Sequence, residues 1–267
     1  MSINLVKESE NTMQYHYEIN TPEKDELLPY IHQYIHFSSS SKKLLQKNLW
    51  PSANASLIFN FKKTKLNDKL SPVVAIAGLH DVIHVIQPEE NDIDTIIVHC
   101  SPALLTVFST TQTSFITNTI IDAKDIFGET IASLSTSLQL VKNIKARQNL
   151  LDTFFIGLLT KTTEQTSCFA KLAKAIQSNP EYKITLGTEI SYRHLSRMFK
   201  QIIGVNIQTY RRLARFELAK QLIIQETTIS LTGVGYQSGY YDQAHFAKEF
   251  KKLSGLRAKY FGPLCSI

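Results

Sequence analysis

Hydrophobic and polar positions follow two different periods along this chain, and the change between them falls near residue 125. Before it, short apolar runs are separated by turn-forming residues, and apolar and polar side chains alternate most clearly in residues 57–61. Such alternation is typical of strands with one buried face. We expect strands at residues 15–19, 57–61, 73–77, 82–86 and 94–100, while residues 28–37 are compatible with helix or strand. Short strands of this kind favour an antiparallel sandwich or barrel.

Beyond residue 125 the period becomes helical, and helices are predicted over residues 126–140 and 144–161. One face of the second helix is apolar along its whole length: Leu150, Leu151, Phe154, Phe155, Leu158 and Leu159. This face either completes the core of the same chain or packs on a helix of a second copy, and the pattern leaves both open. Residues 160–167 are polar and lack a period, so we predict a linker between an N-terminal domain (1–161) and a C-terminal domain (167–262).

The C-terminal hundred residues contain two amphipathic helices built on one plan. The first begins after Ser191, a good N-cap, and ends at Gly204, a good C-cap. At 100° per residue its apolar side chains share one face: Leu195, Met198, Phe199, Ile202 and Ile203. Arg193, Arg197 and Lys200 lie opposite. One side of this helix therefore suits a core, and the other suits an anion.

The second helix begins after Asp242 and ends at Gly255. Phe246, Phe250 and Leu253 form its apolar face, and the opposite face contains Ala244, Lys248 and Lys251. Between the two, residues 206–225 predict one helix of about 30 Å. That length is close to one turn of B-DNA, roughly 34 Å. Further helices are predicted before each of these two amphipathic helices. Residues 169–178 and 184–189 precede the first, and residues around 231–236 precede the second.

The net charge of +6 is unevenly distributed. Residues 167–267 contain 15 Lys and Arg against six Asp and Glu, a balance of +9, and residues 1–166 contain 14 against 17, a balance of −3. A basic helix face is usually only a solvated surface. Two such faces at a spacing that matches DNA favour a nucleic-acid partner instead.

The spacing L-S-R-M-F-K…G-V…Y-x-x-x-x-R-F-E-L-A-K-x-L-I…G-Y-x-D-Q-A-H-F-x-K-x-F-K…G resembles the DNA-binding domain of AraC/XylS-type bacterial transcription regulators, over nearly all of residues 184–260. The resemblance implies a seven-helix domain in which two helix-turn-helix units are joined by a linker helix. It places these residues at base edges: Arg193, Ser196, Arg197, Gln243, Ala244, His245 and Lys248. These are better placed for phosphates: Lys200, Arg211, Lys251, Lys252 and Lys259.

Residues 50–61, 97–102 and 121–128 look like the N-terminal domain of a subgroup of these regulators, in which a small cupin-like β-domain is the sensor. The expected fold class is therefore α+β: a β-rich cupin-like domain with a helical appendage, followed by an all-α DNA-binding domain. Double-stranded DNA is the expected partner, together with RNA polymerase, a small-molecule effector with unassigned binding residues, and a second copy through helices 125–161. No cofactor is expected.

Three features depart from the family pattern. The predicted helix 184–189 contains Gly187, Ala258 stands where the family usually has proline, and Gly233 and Gly235 fall inside the first helix of the second unit. Each helical glycine costs roughly 1 kcal/mol relative to alanine. We therefore expect the second unit to be the looser of the two, and Gly235→Ala to stabilise it.

The sequence contains little that indicates catalysis. His80 and His84, with Asp81 and His99 nearby, suggest a metal cluster, but strand geometry argues against one and we predict no metal site. Three cysteines without paired spacing argue against a disulfide framework. With neither an export signal nor a membrane-spanning stretch, a cytoplasmic protein that is not an enzyme is expected. The alternative hypothesis is a small-molecule-binding or enzymatic cupin-like protein whose helical domain docks a protein partner.

Overall fold

The computed structural model describes residues 3–4, 14–40, 47–89, 92–107, 115–159, 163–185, 191–225 and 229–265. Strands occupy the N-terminal part, and all structure from residue 124 onward in these ranges is helical or irregular. The strands are β1 (Ile3–Asn4), β2 (Gln14–Asn20), β3 (Ile31–Ser40), β4 (Lys47–Leu49), β5 (Ala55–Asn60), β6 (Thr64–Leu66), β7 (Lys69–Leu70), β8 (Val74–Ala77), β9 (His84–Pro88), β10 (Asp92–Cys100) and β11 (Ile120–Asp122). The predicted α+β class is confirmed.

The strands form two antiparallel sheets that pack face to face. The larger sheet has the order β1-β2-β3-β10-β5-β8-β11, and the smaller has the order β4-β9-β6-β7. Strand β5 is buried along its whole length because both of its faces are covered. Alternation sends Ile58 towards the second sheet, where it joins Leu66 and Ile86, and sends Leu57 and Phe59 into the core shared with the helices.

Ten helices follow or interrupt the strands in the described ranges. They are α1 (Ala103–Thr106), α2 (Lys124–Phe127), α3 (Glu129–Leu140), α4 (Ile144–Leu159), α5 (Glu164–Ser178), α6 (Tyr192–Ile203), α7 (Ile207–Gln225), α8 (Leu231–Gln237), α9 (Gln243–Ser254) and α10 (Ala258–Cys265). Gly128, at φ +63°, separates α2 from α3, so the single helix predicted over residues 126–140 is two. None of the helices in the described part of the chain is long and apolar enough to cross a membrane.

The apolar stripe of α4 packs inside the chain. Leu151 and Phe155 are buried, and Leu150, Phe154 and Leu158 are partly buried against the same core. The interpretation as intramolecular core therefore accounts for most of this face. The ambiguous segment 28–37 is mainly the strand β3, preceded by one short 3₁₀ turn at Asp25–Leu27.

One local prediction was wrong, and a second is contradicted at the two positions that the structure describes. The linker expected at residues 160–167 is helical from Glu164, because Thr163 caps α5 through its side-chain oxygen, which accepts from the Thr166 N–H at 3.1 Å. The helix expected over residues 184–189 does not include Ile184 or Thr185, which are irregular, and its remaining positions lie outside the described residues.

Two partly buried histidines limit the stability of the N-terminal part in acid. Burial is the largest cause that lowers the pKa of His32 to about 4, with a contribution from Lys174, and burial lowers the pKa of His99 to about 3. Both rings therefore fold in the neutral form. Protonation favours the unfolded chain, in which a histidine titrates near its ordinary pKa of about 6.5.

We predict that the free energy of unfolding falls as the pH is lowered from 7.5 to 5. The stabilisation is present above about 6.5, the unfolded pKa, and is lost progressively towards the folded pKa, at most about 3 kcal/mol for His32. Urea unfolding at several pH values measures it. His32→Asn should flatten the decline, and an identical decline in that variant would contradict the role of His32.

Candidate nucleic-acid interface

Helix α6 has the cap and face structure that its sequence predicts. The Ser191 Oγ accepts from the His194 N–H at 3.2 Å, and Gly204 ends the helix in the left-handed region at φ +102°. The side chains of Phe199, Ile202 and Ile203 are buried. On the opposite face these basic side chains are exposed: Arg193, Arg197 and Lys200. Ser196 is partly exposed beside them.

Helix α9 repeats the arrangement. The Asp242 carboxylate accepts from the His245 N–H at 2.7 Å, and Gly255 ends the helix at φ +71°. Phe246, Phe250 and Leu253 are buried. All the predicted base-facing residues of this helix are exposed: Gln243, Ala244, His245 and Lys248. The two capped helices thus present their polar faces to solvent and bury their apolar faces in the same core.

Counting from the N-caps shows how the two faces differ chemically. Arg193 corresponds to Ala244, and Arg197 corresponds to Lys248. The first helix therefore places two guanidinium forks where the second has a methyl group and a single ammonium. A guanidinium can donate two parallel hydrogen bonds to one base edge or phosphate, which an ammonium does not do.

One hydrogen bond within α6 was not predicted from the sequence. The Arg197 Nη2 donates to the His194 Nδ1 at 3.1 Å, one turn of helix away. Residues three apart on a helix are neighbours, so the spacing itself was the available signal. The bond holds one end of the guanidinium beside the helix and leaves its other N–H groups free to donate.

Four of the five predicted phosphate-contacting residues are exposed to solvent, and the fifth, Arg211, makes hydrogen bonds within the protein. Lys200, Lys251, Lys252 and Lys259 are exposed, and the Lys259 ammonium lies 4.6 Å from the centre of the Tyr260 ring. Arg211 instead donates to the carbonyls of Pro180 and Tyr182, the latter at 2.6 Å. In this structure Arg211 therefore ties α7 to the segment after α5, and its phosphate role stays a prediction.

Helix α7 joins the two units. Its 19 residues span about 28 Å at the usual rise, close to the predicted length. Tyr210, Leu213 and Phe216 are buried. Arg215 pairs with Glu181 at 2.6 Å, and Arg212 pairs with Asp81 of the N-terminal part at 2.7 Å. The basic side chains of α7 are therefore used to fix its position.

The glycines of α8 have a packing function. A Cβ at Gly235 would lie 3.3 Å from two carbons of Phe246 and 3.4 Å from a third, and one at Gly233 would lie 3.0 Å from Ile229. Phe246 is itself held between the rings of Tyr240 and Phe250, at 5.3 and 5.5 Å. Gly235 thus permits the close approach of α8 to α9. The expectation that alanine would stabilise this position omitted that contact.

The histidines considered as metal ligands contact other groups in the described part of the chain. The His80 and His84 rings lie 5.0 Å apart, but the nitrogens of His80 face the carbonyls of Gly78 and Trp50, and the His84 Nδ1 contacts Asn67. Within the described ranges no group of three or more His, Cys, Asp and Glu side chains is arranged to hold a metal ion.

Comparison with known proteins identifies the class of this interface. Residues 187–261 match the family described as "Helix-turn-helix domain". The chain is 32% identical over 76 residues to the arabinose operon regulatory protein of Escherichia coli, and 35% identical over 65 residues to the HTH-type transcriptional regulator GlxA of Rhizobium meliloti. The C-terminal part is therefore a helix-turn-helix domain of the AraC/XylS type, and the resemblance predicted from its sequence is confirmed.

The matches to these two relatives are short. They cover 28% and 24% of this chain, and 26% and 19% of the two relatives. Over a longer range, the crystal structure of ToxT from Vibrio cholerae O395 aligns with 88% of this chain and 99% of its own, at 12% identity and a TM-score of 0.48.

We predict that Gly235→Ala destabilises the protein by about 1–3 kcal/mol, because the added methyl overpacks the site of Phe246. Gly157 in α4 is the matched control, since a Cβ there meets nothing within 4 Å. Gly157→Ala should stabilise by about 0.5–1 kcal/mol. Chemical unfolding of both variants measures the difference, and equal stabilisation by the two would show that Gly235 has no packing role.

Proposed function

We propose that this protein is a sequence-specific, double-stranded DNA-binding regulator of transcription. The observation that supports the proposal is the pair of capped helices α6 and α9, whose cationic faces are exposed while their apolar faces share one core with α7. A basic helix seated this way is the usual reader of the major groove. The named relatives are regulators, and the match to their DNA-binding type of domain supports the same class of function here.

In this proposal the first unit makes more bidentate contacts to bases than the second. Arg193 and Arg197 each donate to O6 and N7 of a guanine, and Gln243 pairs with an adenine. Ala244 touches a thymine methyl group. Ser196, His245 and Lys248 contact further base edges from the same faces.

Contacts to phosphates supply affinity and fix the position of the domain without reading sequence. We assign these to the exposed lysines around the two faces: Lys200, Lys251, Lys252 and Lys259. Arg211 joins them only if it leaves the carbonyls of Pro180 and Tyr182.

The N-terminal residues 1–161 are proposed as a regulatory domain and residues 167–262 as the DNA-binding domain. The β-rich part would respond to a small-molecule effector, in a protein that acts as a regulator in the cytoplasm and not as an enzyme. RNA polymerase and a second copy of the chain, paired through the helices of residues 125–161, complete the proposed set of partners.

We predict that duplexes selected by the protein from a random library share a preferred sequence and bind with strong salt dependence. Each phosphate contact makes the slope of log K against log salt more negative by about 0.9, so four lysine contacts give a slope near −3 to −4. Titration of one selected duplex from 50 to 200 mM salt measures this. An affinity independent of salt, or a pool without any enriched sequence, would contradict the proposed function.

We predict different effects for two neighbouring cations of α6. Arg197→Ala should cost about 1–3 kcal/mol on the preferred duplex and relax specificity at one or two positions, because it removes a base contact. Lys200→Ala should weaken all duplexes about equally. Affinities for the selected duplex and for single-base variants of it separate the two cases, and a uniform loss in Arg197→Ala would reassign that residue to a phosphate.

A further inference from the structure

The N-terminal part contacts the DNA-binding domain on the side away from both recognition faces. Helix α1 packs on α5 and α6, and polar contacts come from the short loop of residues 50–54, which precedes β5, and from Asp81 before β9. The loop and Asp81 reach α7 and α10, and Thr117 reaches the C-cap of α6. We call the loop residues 50–54 and Asp81 the brace.

The central contact of the brace is to Glu217 in the middle of α7. The Ser52 Oγ donates to the Glu217 Oε1 at 2.6 Å, and the Asn54 Nδ2 donates to the same oxygen at 3.2 Å. Burial in this interface raises the pKa of Glu217, an effect opposed by Lys220 and these hydrogen bonds. Asn54 in turn accepts from the Gln177 Nε2 of α5 at 2.6 Å. A polar group placed in such an interface is costly unless it is bonded, so the arrangement specifies one docked position.

Two further contacts fix α7 on either side of Glu217. The Lys220 Nζ donates to the Pro51 carbonyl at 3.4 Å. Arg212 donates to the Asp81 Oδ2 at 2.7 Å, and Asn118 orients this carboxylate by donating to its Oδ1 at 3.0 Å. Arg212, Glu217 and Lys220, the three residues of α7 that make these hydrogen bonds, lie within about two helical turns. Rotation of α7 about its own axis would break all of them.

The same side of the molecule also reaches both helix-turn-helix units. The Trp50 ring lies 4.9 Å from that of Phe261 in α10, and Phe261 lies 5.2 Å from Phe250 of α9. At the first unit, the Thr117 hydroxyl donates to the carbonyl of Gly204, the C-cap of α6, at 3.5 Å. The end of α6, the centre of α7 and the back of α9 are thus all held from the N-terminal part.

The recognition faces remain open in this docked arrangement. Arg193, Arg197, Gln243 and Lys248 are all exposed, so the contacts do not cover the residues proposed to read bases. Docking therefore does not compete with DNA at these positions. What it restricts is the orientation of the two units relative to each other.

We propose that the brace fixes the angle between α6 and α9, so that the two units bind a two-part duplex site as one preorganised body. The inference rests on the proposed DNA-binding function. Its physical basis is that binding through a second unit costs less when its position is already set. Loss of the brace should weaken a full site and leave binding by one unit unchanged.

The test uses the full chain and a duplex that the wild-type protein selects from a random library. Two derivatives of this duplex have either its left or its right half scrambled. Asp81→Ala/Glu217→Ala breaks the polar contacts. Glu217→Gln is the matched control, because its Oε1 still accepts from Ser52 and Asn54, and Glu129→Ala controls for loss of a carboxylate on the distant helix α3.

We expect the double variant to lose roughly tenfold in affinity for the full duplex, and little for the half-scrambled duplexes, because the advantage removed is the effective concentration of the second unit. Its preferred sequence should not change. Both control variants should bind the full duplex like the wild type. If the double variant does not fold, Asp81→Asn tests the partly exposed Arg212 pair alone and should show the same selective loss to a smaller degree.

Trp50 is the only tryptophan in the sequence, so its fluorescence reports the state of the brace directly. Emission should shift to longer wavelength in the double variant, and should stay unchanged when the wild type binds DNA. Equal loss on full and scrambled duplexes, unchanged affinity for the full duplex, or tighter binding by the double variant would overturn the proposal. If the wild type itself enriches no duplex, the proposed function fails first, and the brace proposal fails with it.

Discussion

The need to cover α7 on nearly all sides is the constraint on which the rest of the structure depends. Its buried side chains include Tyr210, Leu213, Phe216 and Ala219, which lie around more than one face of the helix. A helix of this kind must be enclosed by neighbours. Helices α5, α6, α8, α9 and α10 supply most of the enclosure, and the loop before β5 adds polar contacts to it. Both recognition helices take their positions from this one enclosed helix.

The features that were predictable from sequence are those fixed by short-range physics. Ser191, Asp242, Gly204 and Gly255 act on backbone groups within one turn, so the residue type and its neighbours determine the cap. The same is true of the alternation that marks β5 and β10. The very short strands β4, β6 and β7 escaped prediction because two or three residues do not establish a period, and pairing with β9 or with each other defines them.

The contacts between the two parts of the chain were not predictable for a different reason. Glu217 looks in sequence like an ordinary solvent-facing residue of an amphipathic helix, and its partner Ser52 is 165 positions away. Gly235 shows the same limit on a smaller scale. Its helix propensity alone suggests a defect, whereas the opposing ring of Phe246 lies so close that an added Cβ would be crowded. Helix propensity and amphipathic pattern give the local free-energy cost of a residue. The contact that offsets this cost is known only when the tertiary neighbour is known.

The separation of buried and exposed faces on α6 and α9 has a consequence for how such a protein can change over generations. The side chains proposed to read DNA, such as Arg193 and Gln243, are exposed and have little part in the core. Substitutions there can alter the preferred operator while the fold tolerates them, since exposed positions usually change stability by less than about 0.5 kcal/mol. The buried residues of α7 have no such freedom, because they pack against its neighbours. Substitutions that change the preferred DNA sequence should therefore accumulate on two narrow helical faces, while the buried residues of the linker helix change far more slowly.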